Sequence, residues 1–265
     1  MTPSRPLNDV RALVTRPRAQ AVALCRLLQN SGADVLAVPT VEIVEPEDWT
    51  TVDAAVRSLS GYDMAIFTSA NGVERFLGRM QALGHAEKEL GALQLVAIGP
   101  ATAEVLRSRA LDVQIVPEEY RAEGVVDAVV AARPAGLDGL RVLVPRALKA
   151  RAVLPDRLRR LGATVDVVPV YRSLIPPGTA PRLQEAFEER VDLVTFTSSS
   201  TVDHFIQLVG PGQVEELLAR TVVACIGPIT AGTATRGGLQ VAVLPQDYTV
   251  ESLHRAVVQY FDDRR

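Results

Sequence analysis

Short apolar runs alternate with amphipathic helical stretches along most of the chain. The runs are rich in Val, Ile and Leu, as in RALVT at 11–15, DMAIFT at 63–68, LQLVAIG at 93–99 and DVQIV at 112–116. Strands that are apolar throughout, each followed by a helix, are typical of a parallel sheet covered on both faces. The pattern predicts an α/β fold with doubly wound parallel sheets.

The second half of the chain repeats the first. RALVTRPRAQ matches RVLVPRALKA, YDMAIFTSANG matches VDLVTFTSSST, and IGPATA matches IGPITA, so that residues 11–20, 62–72 and 98–103 correspond to residues 141–150, 191–201 and 226–231. Because the matched segments follow in the same order, we interpret the chain as one α/β unit used twice. The prediction is two similar lobes.

Two extended segments, VPTVEIVEP and VPVYRSLIP, interrupt the alternation of strands and helices. They are bounded by prolines and too apolar to be flexible linkers, so we interpret them as a two-stranded connector. If the chain crosses between lobes there, the first lobe is discontinuous. We predict a first lobe of residues 1–38 and 177–265, a second lobe of residues 47–167, connectors at 39–46 and 168–176, and an active cleft between the lobes.

Four turns from a strand into a helix carry small polar residues: FTSANG, IGPATA, FTSSST and IGPITA. At such turns, free backbone N–H groups and the positive end of the helix dipole favour anions. The predicted contacts to a ligand with several carboxylates or phosphates are Ser69, Thr102, Ser198, Ser199, Pro228 and Thr230. The alternative is that the hydroxyl groups only cap the helices.

Basic residues follow two of the predicted strands. Arg16 and Arg146 occupy equivalent positions of the repeat, and Lys149 and Arg151 lie close behind Arg146. Their side chains could form charge-assisted hydrogen bonds to carboxylates. The alternative is that each is a solvated surface residue.

Composition narrows the possible functions. A formal net charge of -3 and a pI near 5.7 argue against nucleic acid as a partner, and no apolar run indicates export or a membrane span, so we expect a cytoplasmic protein. Cys25 and Cys225 lie in a helical and a strand pattern, which favours buried thiols. Neither metal-ligand spacing nor a phosphate-binding Gly motif is present, so we predict no metal and no cofactor.

Several motifs together resemble the uroporphyrinogen-III synthase family. They are VTRPRAQAVALCRLLQNSGADVLAVP, FTSANGVERF, AIGPATAEVL, VPVYRS, FTSSSTVDHF and CIGPITAGTATRGG, in an order that covers essentially the whole chain. The resemblance implies two α/β lobes, a two-stranded connector and a cleft between the lobes. It also implies a lyase of tetrapyrrole biosynthesis that cyclises hydroxymethylbilane to uroporphyrinogen III, with loss of water and inversion of ring D.

The implied reaction needs orientation and one weak acid more than it needs a metal or a nucleophile. Loss of the hydroxymethyl oxygen leaves an azafulvene cation, which the substituted carbon of the distant ring attacks to give a spiro intermediate. The family's tyrosine in VPVYRS falls on Tyr171, and its partner in the repeat is Val41. We predict Tyr171 as the catalytic acid; the alternative is a strand tyrosine with a solvated hydroxyl.

One stretch departs from the family pattern. Bacterial relatives often carry Arg-Gly-x-x-Gly-Arg-Glu where this chain reads RALKARA, which leaves the close approach of substrate to that loop in question. The alternative function is a non-catalytic two-lobed binding protein or sensor for a polyanionic small molecule. A pair of receiver-like domains would need clustered aspartates at strand ends, which this chain lacks. We expect a monomer, with transient channelling of substrate from hydroxymethylbilane synthase left open.

Overall fold

The computed structural model describes residues 5–264, and the chain divides into two compact units. Unit 1 consists of the residues up to Glu42 and those from Leu174 onwards, and unit 2 consists of Ile43–Ser173. Both divisions fall within the segments that were predicted as connectors. Strands and helices are numbered along the chain.

Unit 1 contains a five-stranded parallel sheet with the strand order β10-β9-β8-β1-β2. Its strands are β1 (Arg11–Val14), β2 (Asp34–Ala37), β8 (Leu193–Phe196), β9 (Val222–Cys225) and β10 (Val241–Val243). Its helices are α1 (Arg18–Asn30), α7 (Thr179–Ala186), α8 (Ser199–Val209), α9 (Val214–Leu217), α10 (Pro228–Arg236) and α11 (Val250–Asp262).

Unit 2 contains a second five-stranded sheet with the order β3-β7-β6-β4-β5, in which β4 to β7 pair in parallel. Its strands are β3 (Glu42–Val44), β4 (Met64–Phe67), β5 (Gln94–Ala97), β6 (Arg141–Ala147) and β7 (Thr164–Leu174). Its helices are α2 (Thr50–Arg57), α3 (Ala70–Ala82), α4 (Pro100–Ser108), α5 (Ala122–Ala132) and α6 (Val153–Arg160), with 3₁₀ turns at Leu59–Gly61 and Glu87–Ala92.

The strands that the sequence repeat matches occupy the same places in the two sheets. The order β9-β8-β1-β2 in unit 1 corresponds to β5-β4-β6-β7 in unit 2. The predicted α/β fold with two similar parallel-sheet lobes is therefore confirmed. The predicted cleft concerns the placement of the two units and stays a prediction.

Each sheet is covered by helices on both faces, as its apolar strands predict. In β4, Met64 and Ile66 pack with residues of α5 and α6, whereas Ala65 and Phe67 pack with residues of α2 and α3. Successive side chains of a strand point to opposite faces, so a strand between two helical layers must be apolar at every position. Burial of each large side chain contributes about 1.5–3 kcal/mol.

The second connector differs from its prediction. The second lobe was expected to end at residue 167, whereas β7 continues without a break through Leu174 and unit 2 extends to Ser173. Pairing with β6 persists past Pro169 because a register shift between Arg146 and Ala147 accommodates the proline. In the first half, the equivalent segment is broken between β2 and β3.

The features predicted from composition have these places in the fold. Cys225 is buried in β9, where burial raises the pKa of its thiol to about 12, and Cys25 is also a free thiol. Within residues 5–264, no three His, Cys, Asp or Glu side chains are grouped so that they could hold a metal ion. No helix in this part of the chain is long and apolar enough to cross a membrane.

Candidate active site

Three of the predicted site residues meet where strands of unit 2 end. Ser69 follows β4, Arg146 lies near the end of β6, and Tyr171 lies in the neighbouring β7. Because adjacent parallel strands end at one edge of a sheet, the side chains converge there. The Tyr171 hydroxyl lies 3.1 Å from Oγ of Ser69, and only 8% of Tyr171 is exposed.

The surroundings of Tyr171 keep its hydroxyl protonated. Burial raises the pKa of Tyr171, while the hydrogen bond with Ser69 and the positive charge of Arg146 act in the opposite direction with smaller effect. Desolvation disfavours the phenolate, so at neutral pH the side chain is a neutral hydrogen-bond donor. This is the state that a weak general acid requires.

Ser69 has two roles in the structure. It is the N-cap residue of α3, and its hydroxyl oxygen accepts the backbone N–H of Gly72 at 3.0 Å. Gly72 lies so close to β6 that a Cβ there would be 3.3 Å from the carbonyl oxygen of Pro145. Ser69 therefore caps α3, and its oxygen also lies within hydrogen-bond distance of the Tyr171 hydroxyl, while a substrate role for Ser69 stays a prediction.

Arg146 is buried, unlike a surface arginine that would bind a ligand. It is 7% exposed, and its guanidinium donates to the carbonyl oxygen of Arg151 at 2.9 Å and to that of Ala150. Two of its donor groups thus close the RALKAR loop. Lys149 and Arg151 of this loop are exposed, and Arg151 lies only 3.9 Å from Glu123.

The equivalent turn of unit 1 keeps the cap but has no hydroxyl at the position of Tyr171. Ser198 caps α8 by accepting the N–H of Thr201 at 3.2 Å, and its Oγ lies 3.1 Å from that of Ser200. Val41 is 2% exposed. The half-buried Arg16 has a buried Nε without a hydrogen-bond partner, and burial lowers the pKa of Arg16.

The remaining predicted contacts lie in the first turns of unit 1 helices and of α4. Thr102 and Thr230 are buried at the third positions of α4 and α10, and Pro228 is exposed at the first position of α10. Ser199 begins α8, where its hydroxyl oxygen accepts a hydrogen bond from Thr233 at 2.9 Å. The structure thus places the predicted hydroxyls in helix N-termini of both units. A substrate role for each stays a prediction.

Two tyrosines at these turns were not identified from the sequence. Tyr120 lies against Gly99 before α4, and Tyr248 lies against Gly227 before α10. Both tyrosines occupy the same position of the repeat, so the alignment of the two halves contained the signal. A single sequence does not show that the two rings lie on the two glycines.

Comparisons with known proteins identify the family of this chain. The family model described as Uroporphyrinogen-III synthase HemD matches residues 22–255. A protein of Methanothermobacter thermautotrophicus that bears the family's name is 37% identical over 92% of this chain and 96% of its own. The uroporphyrinogen-III synthase of Synechococcus elongatus is 31% identical over 97% of each chain.

A solved structure shares the fold. The chain is similar to a mutant uroporphyrinogen III synthase from the extremely thermophilic bacterium Thermus thermophilus with a TM-score of 0.73 and 21% identity, over 96% of this chain and 99% of the other. The resemblance that the motifs indicated is thereby confirmed over nearly the full length. This chain belongs to the uroporphyrinogen-III synthase family.

Proposed function

We propose that this chain cyclises hydroxymethylbilane to uroporphyrinogen III, with loss of water and inversion of ring D. Membership of the family makes it an enzyme of tetrapyrrole biosynthesis, a lyase that closes a ring. The observation that supports an assignment of residues is the buried Tyr171 hydroxyl, 3.1 Å from Ser69 Oγ, which has no counterpart at Val41.

Tyr171 donates a proton to the departing hydroxyl of the substrate. The carbon–oxygen bond then breaks with release of water, and electrons of the pyrrole stabilise the resulting azafulvene cation. Attack by the substituted carbon of the distant ring forms the spiro intermediate, which fragments and closes again. The final ring loses a proton when it regains aromaticity, so Tyr171 can be reprotonated within one cycle.

Cationic side chains and backbone N–H groups are the proposed donors to the carboxylates of hydroxymethylbilane. The exposed Lys149 and Arg151 supply charge from the loop that Arg146 holds in shape, and Arg16 supplies charge from unit 1. Backbone N–H groups at the starts of α4 and α10 supply neutral donors with the positive end of the helix dipole. The reaction is asymmetric, and the proposed acid, Tyr171, is likewise present in only one of the two units.

A direct test is incubation of the purified protein with freshly generated hydroxymethylbilane, followed by separation of the type I and type III isomers. We expect predominantly type III product without added metal, folate or nucleotide. Type I product alone, formed at the rate seen in buffer, would contradict the proposal. Activity that disappears in EDTA and returns with a metal ion would contradict the proposed acid mechanism.

The same assay distinguishes the proposed enzyme from the alternative, a non-catalytic binding protein for a polyanion. Such a protein would retain substrate or product on a column and leave the isomer ratio of the buffer reaction unchanged. Family membership argues against it, because the matched family is named for an enzyme.

The substrate also suggests how the protein works in the cell. Hydroxymethylbilane closes unaided to the type I isomer, so a short transit from its source favours the correct product. We therefore propose a cytoplasmic monomer that receives hydroxymethylbilane from hydroxymethylbilane synthase by transient channelling. Type III yield in a coupled assay should then exceed the yield obtained when the same amount of substrate is added free.

A further inference from the structure

Each unit presents one exposed tyrosine beside the start of a helix. Tyr120 is 37% exposed and lies in the loop between Ile115, which pairs with β5, and helix α5. Tyr248 is 40% exposed and lies in the loop between β10 and α11. Because both loops follow parallel strands, both rings lie at the carboxyl edge of their sheet, where the proposed substrate contacts also lie.

The glycines of IGPATA and IGPITA are closely approached by these rings, whereas their own backbone conformation does not call for glycine. Gly99 and Gly227 have φ values of -171° and -167°, which any residue adopts. A Cβ at Gly99 would lie 3.1 Å from Cγ of Tyr120, and one at Gly227 would lie 3.2 Å from Cγ of Tyr248. Because glycine has no Cβ, each tyrosine ring lies close to the helix N-terminus.

The same arrangement occurs twice, although the two loops differ in sequence. The tyrosine follows PEE in unit 2 and PQD in unit 1, and the residue after it is Arg121 in one and Thr249 in the other. Both tyrosine residues keep more than a third of their accessible surface exposed. An exposed aromatic ring next to backbone donors suits a ligand that is itself aromatic and carries carboxylates.

We propose that Tyr120 and Tyr248 are substrate-positioning residues, each of which holds one pyrrole ring of the tetrapyrrole against its exposed ring. This inference rests on the proposed function, because a pyrrole bearing acetate and propionate groups is a ligand that combines an aromatic ring with carboxylates. The aromatic contact orients the pyrrole, and the neighbouring helix N-terminus takes one of its carboxylates. Neither tyrosine takes part in proton transfer.

The test compares Tyr120→Leu and Tyr248→Leu with Tyr120→Phe and Tyr248→Phe. Anaerobic titration calorimetry with uroporphyrinogen III gives the dissociation constant, and the isomer assay gives KM and kcat. We expect each Leu variant to bind about 2-fold to about 10-fold more weakly, because aromatic contacts contribute that much beyond buried area. The Phe variants keep the ring and should bind as the unaltered protein does.

Tyr260→Leu, in the last turn of α11, is the matched control for loss of a tyrosine elsewhere in unit 1 and should leave binding unchanged. Gly99→Ala and Gly227→Ala should weaken binding without removing a ring, since the new methyl group displaces it. Unaltered binding in both Leu variants would overturn the inference. Equal weakening in the Leu and Phe variants would also overturn it, because the hydroxyl and not the ring would then be responsible.

The calorimetric measurement does not depend on turnover. If the unaltered protein forms type III product while the Leu variants bind normally, the positioning role fails and the proposed function stands. If the protein forms no type III product, the proposed function fails, and the binding of uroporphyrinogen III still reports on the tyrosines.

Discussion

The two units share the order of four equivalent strands and the serine caps of α3 and α8, but the strand that carries Tyr171 differs from its counterpart. In unit 2, β7 runs unbroken to Leu174 and holds Tyr171 beside Ser69. In unit 1, β2 ends at Ala37, although Val38 and Thr40 still donate backbone hydrogen bonds to Val14 and Thr15, and the buried Val41 stands where the tyrosine would be. A repeated fold can thus present similar helix N-termini in both units and place a buried tyrosine hydroxyl in only one of them.

Different hydrogen bonds hold the two segments. In unit 2, Ala147 pairs with Tyr171 and the N–H of Leu148 donates to the carbonyl oxygen of Tyr171 at 2.9 Å, so the strand stays in the sheet. In unit 1, the Thr40 hydroxyl donates to the carbonyl oxygen of Thr201 at 3.1 Å. The backbone N–H of Thr40 also donates to the carbonyl oxygen of Thr15 at 2.9 Å, so this segment too stays bonded to its neighbour although β2 has ended.

The largest effect should come from removal of the hydroxyl that only unit 2 has. Tyr171→Phe should lower turnover by ~10-fold to ~1000-fold, the scale of general acid catalysis, and release more type I product. Tyr62→Phe is a matched control, because Tyr62 is 7% exposed and its hydroxyl donates to Asp166 at 2.8 Å. Each variant should lose about 1 kcal/mol of unfolding free energy.

Only Tyr171→Phe should change the isomer ratio. If both variants retain the full rate, Tyr171 is a structural strand residue, and the proton comes from water or from the substrate's carboxyl groups. Equal losses of rate in both variants would indicate that unit 2 is perturbed as a whole.

A smaller effect should distinguish the two capping serines. Ser69→Ala and Ser198→Ala each remove an N-cap and should cost about 1 kcal/mol of unfolding free energy. Only Ser69→Ala also removes the hydrogen bond to Tyr171, so it should lower kcat by about 2-fold to about 10-fold, whereas any effect of Ser198→Ala should fall on KM. Denaturant unfolding and steady-state kinetics measure the two quantities; an equal loss of kcat in both would remove the distinction between the units.

The smallest effect should appear as alkaline sensitivity of unit 2. Burial raises the pKa of Tyr171, and burial with the Asp166 hydrogen bond raises that of Tyr62 to about 12. Unfolded tyrosine ionises near its ordinary pKa of 10.0 while the folded residue stays neutral. The stability that each tyrosine contributes is therefore complete below pH 10 and is lost as the pH rises through the folded value.

Unfolding free energies of the unaltered protein, Tyr62→Phe and Tyr171→Phe, measured from pH 8 to about pH 11, test this sign. The unaltered protein should lose stability more steeply above pH 10 than either variant, whereas Val41 contributes no titration in unit 1. Parallel curves for all three proteins would contradict the raised pKa values.

The alternation of apolar strands and helices was sufficient to predict the fold class, because a strand such as MAIF can be buried only between two helical layers. The motifs were sufficient for the family, since their order spans the chain. Tyr171 could be named because the family's tyrosine in VPVYRS falls on it and its repeat partner is Val41, although its catalytic role stays a prediction. Each of these inferences uses information that is local or repeated along the chain.

The packing of individual side chains needed the three-dimensional structure. Arg146 and Lys149 are both basic residues of one loop, yet Arg146 turns inward to two carbonyl groups while Lys149 is exposed. The contact of Tyr120 with Gly99 joins residues that are distant in the chain, and the unbroken β7 depends on a register shift opposite Pro169. Hydrogen bonds and close contacts between distant segments decide such details, and neither composition nor periodicity specifies those contacts.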